Sequence, residues 1–434
     1  MSARTGRLPP LAGVRRREWL GAGLGLALAG CGTPPASNPT GPSIGRVVVV
    51  GGGFGGATAA RYLRLWGGNI DVTLVERNPQ FVSCPLSNLV LGGYRGLGEL
   101  TLGYDGLKAV GVKVVQGEAQ AIDPATKTLR LADGTALPYD RLIVAPGVDF
   151  LFEQVDGLKA ALDSGTVTHA WKAGPQTLAL RRQIEAMPDG GVFAMTIPRS
   201  PYRCPPGPYE RACVVAAYLK AAKPKSKLLV LDANPEIQSK KALFERAFKQ
   251  HYDGLIEYRP NNELKEVSGR QARLEFEDVK ADVLNVVPPQ RAGDLARSAG
   301  LINVNGRWAG VNWLTMESTA VPGVHVLGDA VFAAPAMPKS GHMANQHAKV
   351  AAAAVIQLLR GEAVNAAPLV MNTCYSFVSA TEAVHVASVH TYDNAEKTFK
   401  PVAGAGGLSA AASADEGRYA QAWAQNVWAD MLAL

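Results

Sequence analysis

Past residue 31 the chain has no uninterrupted apolar run long enough to span a bilayer. It has no Cys-x-x-Cys-His motif, so it binds no c-type haem of its own. None of its seven histidines stands in metal-ligand spacing with cysteine, and no metal site is expected. Charge of one sign is scarce too. The net charge is +7, but five arginines and one glutamate lie within the first thirty residues, which leaves +3 for the rest. That surplus is too mild for a nucleic-acid binder. At 47% hydrophobic and 19% charged the chain is globular, and 434 residues exceed one ordinary core, so two or three domains are expected.

What is present centres on residues 44–76. The run Arg46-Val47-Val48-Val49-Val50 reads as a strand, the glycine-rich stretch to Gly56 as a turn opening a helix, and Ile70 to Glu76 as a second strand ending in an acid. Gly51, Gly53 and Gly56 fall in Gly-x-Gly-x-x-Gly register. The first permits the turn, the second lets backbone approach a pyrophosphate, and the third packs helix on sheet. Free N–H groups at the helix start attract phosphate. Glu76 stands where a carboxylate accepts hydrogen bonds from a ribose. The motif therefore predicts dinucleotide binding.

The first thirty residues read as an address. Twin arginines at Arg16-Arg17, then Trp19-Leu20 and an apolar stretch to Gly30, resemble a twin-arginine export signal. Leu28-Ala29-Gly30-Cys31 resembles a lipobox, which would make Cys31 a lipid anchor and place the protein in the periplasm, tethered to the membrane. Residues 32–44 form a polar, proline-containing linker. After Glu76, Pro85 holds Cys84 out of a helix. Tyr139 to Gly147 reads as a buried strand and turn that ends the first part of the nucleotide domain.

The next segment, 160–285, offers two strands, Gly190–Ile197 and Leu228–Asp232, the second again ending in an acid. Between them a second glycine-rich turn is missing. Pro198 to Arg211 is proline-rich instead, and proline has no N–H for a phosphate. This region is expected to keep the fold of a nicotinamide domain without its binding turn, which argues against NADH. Its prolines should hold Cys204 in an extended turn before a helix carrying Cys213, a packed core residue.

Thr319 to Asp329 returns the chain to the first domain and delivers Gly328-Asp329 at a strand end. In FAD proteins of the two-dinucleotide class, which this pattern resembles, that aspartate binds the ribityl chain. Ser340 should cap a helix running to about Leu359, and Lys339 beside it could stabilise negative charge on reduced flavin. In the tail, 366–434, Ala383 to Val389 alternates as a strand, and Tyr419, Trp423, Val427 and Met431 form an apolar stripe on a last helix that covers its own core.

Over nearly the whole chain past the linker, the sequence resembles the flavoprotein subunit of flavocytochrome c sulfide dehydrogenase. The residues that carry the likeness are Val47 to Gly56, Ser83-Cys84 with Leu86-Ser87-Asn88, Arg203 to Ala212, Pro288 to Gly293, Met337 to Gly341 and Asn372 to Ser376. The resemblance implies an α/β fold: a discontinuous, glutathione-reductase-like FAD domain of Rossmann type over 45–159 and 286–365. An inserted, degenerate nicotinamide-type α/β domain would span 160–285, and a C-terminal α+β module 366–434. It implies FAD held covalently through Cys84, although Ser83 and Pro85 depart from that cysteine's usual neighbours. It also implies a redox-active disulfide between Cys204 and Cys374.

On that reading hydrosulfide attacks the disulfide, Glu210 serves as acid or base, and the flavin passes electrons singly to a separate c-type cytochrome subunit. Two other readings stand beside it. One is a sulfide:quinone oxidoreductase at the membrane surface, which Asp415, Glu416, Arg418 and Asp430 on the last helix disfavour. The other is a non-catalytic flavoprotein of a sulfur-oxidation complex, which the three flavin-side cysteines disfavour.

Overall fold

The computed structural model describes residues 41–434. The expected export signal over 1–31, Cys31 and the linker as far as residue 40 lie outside the described residues. Among the described residues no helix is long and apolar enough to cross a membrane.

The strand Arg46–Val50 sits inside a seven-stranded sheet. Its valines are buried on both faces, as suits a central parallel strand. It pairs in parallel with Asp71–Glu76 on one side and Arg141–Val144 on the other. Lys113–Gln116 extends the sheet one way, and Val324–Val326, arriving from far along the chain, extends it the other. The ends of Arg46–Val50, Asp71–Glu76 and Val324–Val326 thus deliver Gly51, Glu76 and Gly328 to one edge. The helices Phe54–Gly67 and Gly341–Arg360 pack on each other, with Gly55 against Ala344, Gly67 against Ile356 and Gly341 against Phe54.

A second, four-stranded parallel sheet has the order Ile256–Arg259, Lys227–Asp232, Val192–Ile197, Val283–Val286. Its crossover helix, Gly207–Ala222, follows the proline-rich turn and is buried from Gly207 to Ala216. The tail is a three-stranded antiparallel sheet, Leu369–Phe377, Ala383–Asp393 and Thr398–Leu408, followed by the helix Ala414–Leu432.

The buried face of that last helix differs from the stripe read in the sequence. Gly417, Ala420, Ala424, Val427, Trp428 and Met431 are buried, while Tyr419 is 57% exposed. Size decides the rotation. A Cβ on Gly417 would stand 1.9 Å from the Thr381 carbonyl oxygen, so the helix can approach only with its smallest residues inward. Gly417→Ala should therefore cost about 1–3 kcal/mol of stability by overpacking. Tyr419→Ala should stay within about 0.5 kcal/mol. Urea unfolding of the two variants measures both, and a larger loss for Tyr419→Ala would restore the stripe read in the sequence.

Candidate functional site

At the nucleotide turn each glycine has a separate physical task. Gly51 has φ +98°, and a Cβ there would meet the Ala145 carbonyl oxygen at 2.4 Å. A Cβ on Gly56 would sit 1.8 Å from the Gly51 carbonyl oxygen, so only glycine lets the helix close on the turn. Gly53, by contrast, has nothing within 4 Å of its Cβ position and leaves open space for a ligand at the helix start. The Glu76 carboxylate accepts from Gly52 N at 2.7 Å and Asn78 N at 2.8 Å, which fixes it beside the turn.

Two cavities meet here. One, of about 980 Å³, is lined by Gly51, Gly53 and Glu76. The other, of about 230 Å³, is lined by Gly53, Cys84, Cys204, Glu210, Gly328, Asp329 and Cys374. They share Gly53, Phe81, Val82, Ala145, Gly147 and Arg203, so together they form one trough. In its smaller part, Asp329 Oδ1 is buried without a hydrogen-bond partner. Burial raises the Asp329 carboxyl, and the charges of Arg203 and Lys339 oppose that rise. An elongated dinucleotide with a hydroxylated linker meets this demand: its phosphates fit the glycine turn and its hydroxyls fit the orphaned carboxylate. FAD has that shape.

Lys339 lies behind the Gly328-Asp329 turn. Expected beside the flavin, it lines neither part of the trough. Its buried ammonium donates to the carbonyl oxygens of Asp329, at 3.0 Å, and Val331, and lies 3.8 Å from the Trp308 ring centre. Burial pushes it down to about 7. Its work is to tie the Gly328-Asp329 turn from behind.

Cys84, Cys204 and Cys374 come together in the smaller cavity from three distant stretches, and all the described cysteines are free thiols in the structure. Cys84 follows the short strand Phe81–Val82 and precedes the helix Ser87–Gly92. Cys204 is not extended. Its φ is +57°, a left-handed conformation that costs roughly 1–2 kcal/mol for a residue with a Cβ. Two bonds hold it there: Cys204 N donates to Lys339 O at 2.9 Å, and Gly207 N donates to Cys204 O at 2.8 Å. The interaction of the Cys204 and Cys374 thiols, which line one cavity, raises Cys204, with burial adding to the rise. It brings Cys374 down to about 7, helped by the Lys240 charge. Cys374 Sγ itself donates to the Tyr375 carbonyl oxygen at 3.9 Å. Cys213 lies apart, fully buried in the apolar core of the second sheet.

Glu210 is buried on the Gly207–Ala222 helix, and both of its oxygens are engaged. Oε1 accepts from Phe377 N at 2.9 Å and Oε2 from Asn88 Nδ2 at 2.9 Å. Burial raises it, and those two bonds oppose the rise. The sequence reading missed three charged neighbours. Arg203 lines both parts of the trough. Arg211 donates to Asn88, Asn285 and the carbonyls of His169 and Ala170, with its guanidinium 4.8 Å from the Trp171 ring centre. Lys240 donates to Cys374 O and Ser376 Oγ. Both arginines fall in the quoted run Arg203 to Ala212, where they could have been singled out. Lys240 carries no sequence signal.

The acid ending the second-domain strand is already used. Asp232 is fully buried and accepts from Tyr209 OH at 2.7 Å, Tyr258 OH at 3.0 Å, and Asn234 N and Nδ2 at 2.9 and 2.7 Å. Protein donors occupy the place where a nicotinamide dinucleotide would offer its ribose.

Three family models match the chain. "Pyridine nucleotide-disulphide oxidoreductase" covers residues 45–179. "Sulfide dehydrogenase [flavocytochrome c] flavoprotein chain, central" covers 177–288, and "Flavocytochrome c sulphide dehydrogenase, flavin-binding" covers 366–432. The chain is 64% identical over 45 residues to the sulfide dehydrogenase [flavocytochrome c] flavoprotein chain of Chlorobaculum thiosulfatiphilum, covering 94% of that sequence and 10% of this one. It is 25% identical over 306 residues to the mitochondrial sulfide:quinone oxidoreductase of Mus musculus, and spans 65% of that relative's length with 65% of its own. The solved sulfide:quinone oxidoreductase of Aquifex aeolicus shares the fold, with a TM-score of 0.72 at 19% identity over 89% of this chain and 91% of that one.

With Asp232 saturated and prolines in place of the phosphate turn, NADH should leave the flavin oxidised. Anaerobic mixing with excess NADH, followed by flavin absorbance, checks this. Bleaching by NADH alone would refute it.

Proposed function

The chain belongs to the flavoprotein chains of flavocytochrome c sulfide dehydrogenase, and on that premise we propose that it oxidises hydrosulfide and passes the electrons to a c-type cytochrome. One observation carries the reading. Cys204 and Cys374, 170 residues apart in sequence, line one cavity with Cys84 and the orphaned Asp329 carboxylate, and their thiols act on each other. In the proposed cycle they form a disulfide. Hydrosulfide attack makes one S–S bond and breaks another, leaving a persulfide on one cysteine and a thiolate on the other. FAD, when bound, supplies a two-electron acceptor able to release electrons one at a time. The chain's own residues do the rest. Gly53 and the helix start would hold the pyrophosphate, Glu76 a ribose and Asp329 the ribityl hydroxyls. Arg203 and Arg211 favour anions in the cavity, and Glu210 is placed to exchange a proton only if one of its two bonds opens.

The proposed setting is the periplasm, reached by twin-arginine export, with a lipid on Cys31. The similarity to mitochondrial sulfide:quinone oxidoreductase supports a second reading with quinone as acceptor. Steady-state sulfide oxidation with cytochrome c and, separately, with a soluble quinone separates the two. Turnover with quinone alone would replace the cytochrome reading. Cys204→Ser and Cys374→Ser should each abolish sulfide-driven flavin reduction while FAD stays bound, and Cys213→Ser should be close to silent. Full sulfide activity in Cys374→Ser would overturn the mechanism.

We also propose that Cys84 binds the flavin covalently through its sulfur. After urea or acid unfolding the yellow chromophore should stay with the wild-type polypeptide and be released from Cys84→Ser. Release from the wild type on ultrafiltration would remove the covalent bond from the account.

A further inference from the structure

Lys240 lies outside the trough, yet it reaches the one strand that carries Cys374. It precedes the helix Lys241–Tyr252 in a left-handed conformation, φ +56° and ψ +35°. Its ammonium is buried and donates to Cys374 O at 2.7 Å and Ser376 Oγ at 2.8 Å. Both acceptors are neutral, and a buried cation bonded only to neutral oxygens is costly unless an anion stands near. The groups whose charge acts on it are Cys374, Glu210, Cys204 and Glu416. Glu210 is already bonded to Phe377 N and Asn88. Glu416, on the last helix, is bonded to His385. Glu210 supplies one negative charge near it, and a thiolate on the cysteine pair would supply a second, closer to the strand it holds.

We propose that Lys240 is a positioning residue for the sulfur chemistry: it fixes the Cys374 strand and makes Cys374 the member of the cysteine pair that carries negative charge. This rests on the sulfide-oxidising reading above and deepens it. When the disulfide opens by attack on the Cys204 sulfur, the new bond joins Cys204 to the incoming sulfur, and the electron pair of the broken bond remains on Cys374. The ammonium of Lys240 then stabilises that thiolate without touching the substrate. Cys374 being held down to about 7 agrees with this geometry. Lys240 is the cation whose charge lowers Cys374, against Glu210, which raises it; Arg203, Arg211 and His342 line the same cavity.

The test uses the full-length holoenzyme with the cysteine pair reduced by a phosphine. Iodoacetamide labelling at a series of pH values, read by peptide mass spectrometry, gives the rate at each cysteine and its midpoint. This readout does not require sulfide to be a substrate, so it can fail independently of the functional reading, which sulfide-driven flavin reduction tests. In the wild type, Cys374 should label roughly tenfold or more faster than Cys204 at neutral pH. Lys240→Gln keeps a donor for the Cys374 carbonyl but loses the charge, and should raise the Cys374 midpoint by about one unit or more. Lys240→Arg should restore it. An unchanged midpoint in Lys240→Gln would reduce Lys240 to a structural clamp. Faster labelling of Cys204 than Cys374 in the wild type would overturn the proposal even if no variant folds.

Discussion

Glu210 is the buried carboxylate on which the site's assembly depends. From one helix of the second sheet it binds the backbone of the tail through Phe377 and the side chain of Asn88 in the first segment. Three stretches distant in sequence are thereby fixed around one cavity, and each brings a cysteine: Cys84 with Asn88, Cys204 just before Glu210, Cys374 just before Phe377. A hydrogen bond to a charged group contributes roughly 1.5–3 kcal/mol, and removing one donor leaves part of a buried charge unsatisfied at a cost of about 1–3 kcal/mol or more. Arg211, next in sequence, binds the other end of the same Asn88 amide. The amide is thus oriented by a cation on its oxygen and an anion on its nitrogen, so neither end can flip without loss.

The second parallel sheet has the strand-end acid of a nucleotide domain without an open place beside it for a ribose. The strand Lys227–Asp232 still ends in an acid, but two tyrosines and an asparagine satisfy it from within the protein. Tyr209, one of those donors, is the residue before Glu210 on the same helix. In place of a glycine turn with N–H groups for a phosphate, the proline-rich turn and helix start bring Cys204 and Glu210 to the trough.

How much of this was legible in the sequence follows from how local each signal is. The glycine turn, Glu76, Gly328-Asp329 and the Ser340 cap are short-range patterns with one steric or hydrogen-bonding cause each, and the structure places Gly51, Gly53, Glu76 and Asp329 along one trough. Lys339 read as a charge beside the flavin because a lysine before a helix ordinarily reaches outward. Here the Trp308 face and two carbonyls draw it inward. The last helix misled because Tyr419 repeats with Trp423 and Val427 at helical spacing, whereas the close approach at Gly417 sets the buried face. Cys204 was read as extended from its prolines, but its bond to Lys339 O, 135 residues away, is long-range and holds it left-handed. Lys240 was invisible for the same reason: a lysine beside another lysine reads as solvated until the tail strand folds over it.

The charges around the cysteines do not cancel, and the imbalance has a direction. Arg203, Arg211 and Lys240 bring three formal positive charges, against the two carboxylates of Glu210 and Asp329. Burial raises both carboxyls, which weakens their hold on negative charge further. A cluster of this kind is costly as it stands and is relieved by one added anion. In the proposed cycle, hydrosulfide arriving at the disulfide would be one such anion, and the thiolate left after its attack would be another. Since one replaces the other, the charge in the cavity stays constant through the proposed step while its location moves from substrate to protein. Burial that disfavours a second negative charge therefore does not oppose the reaction.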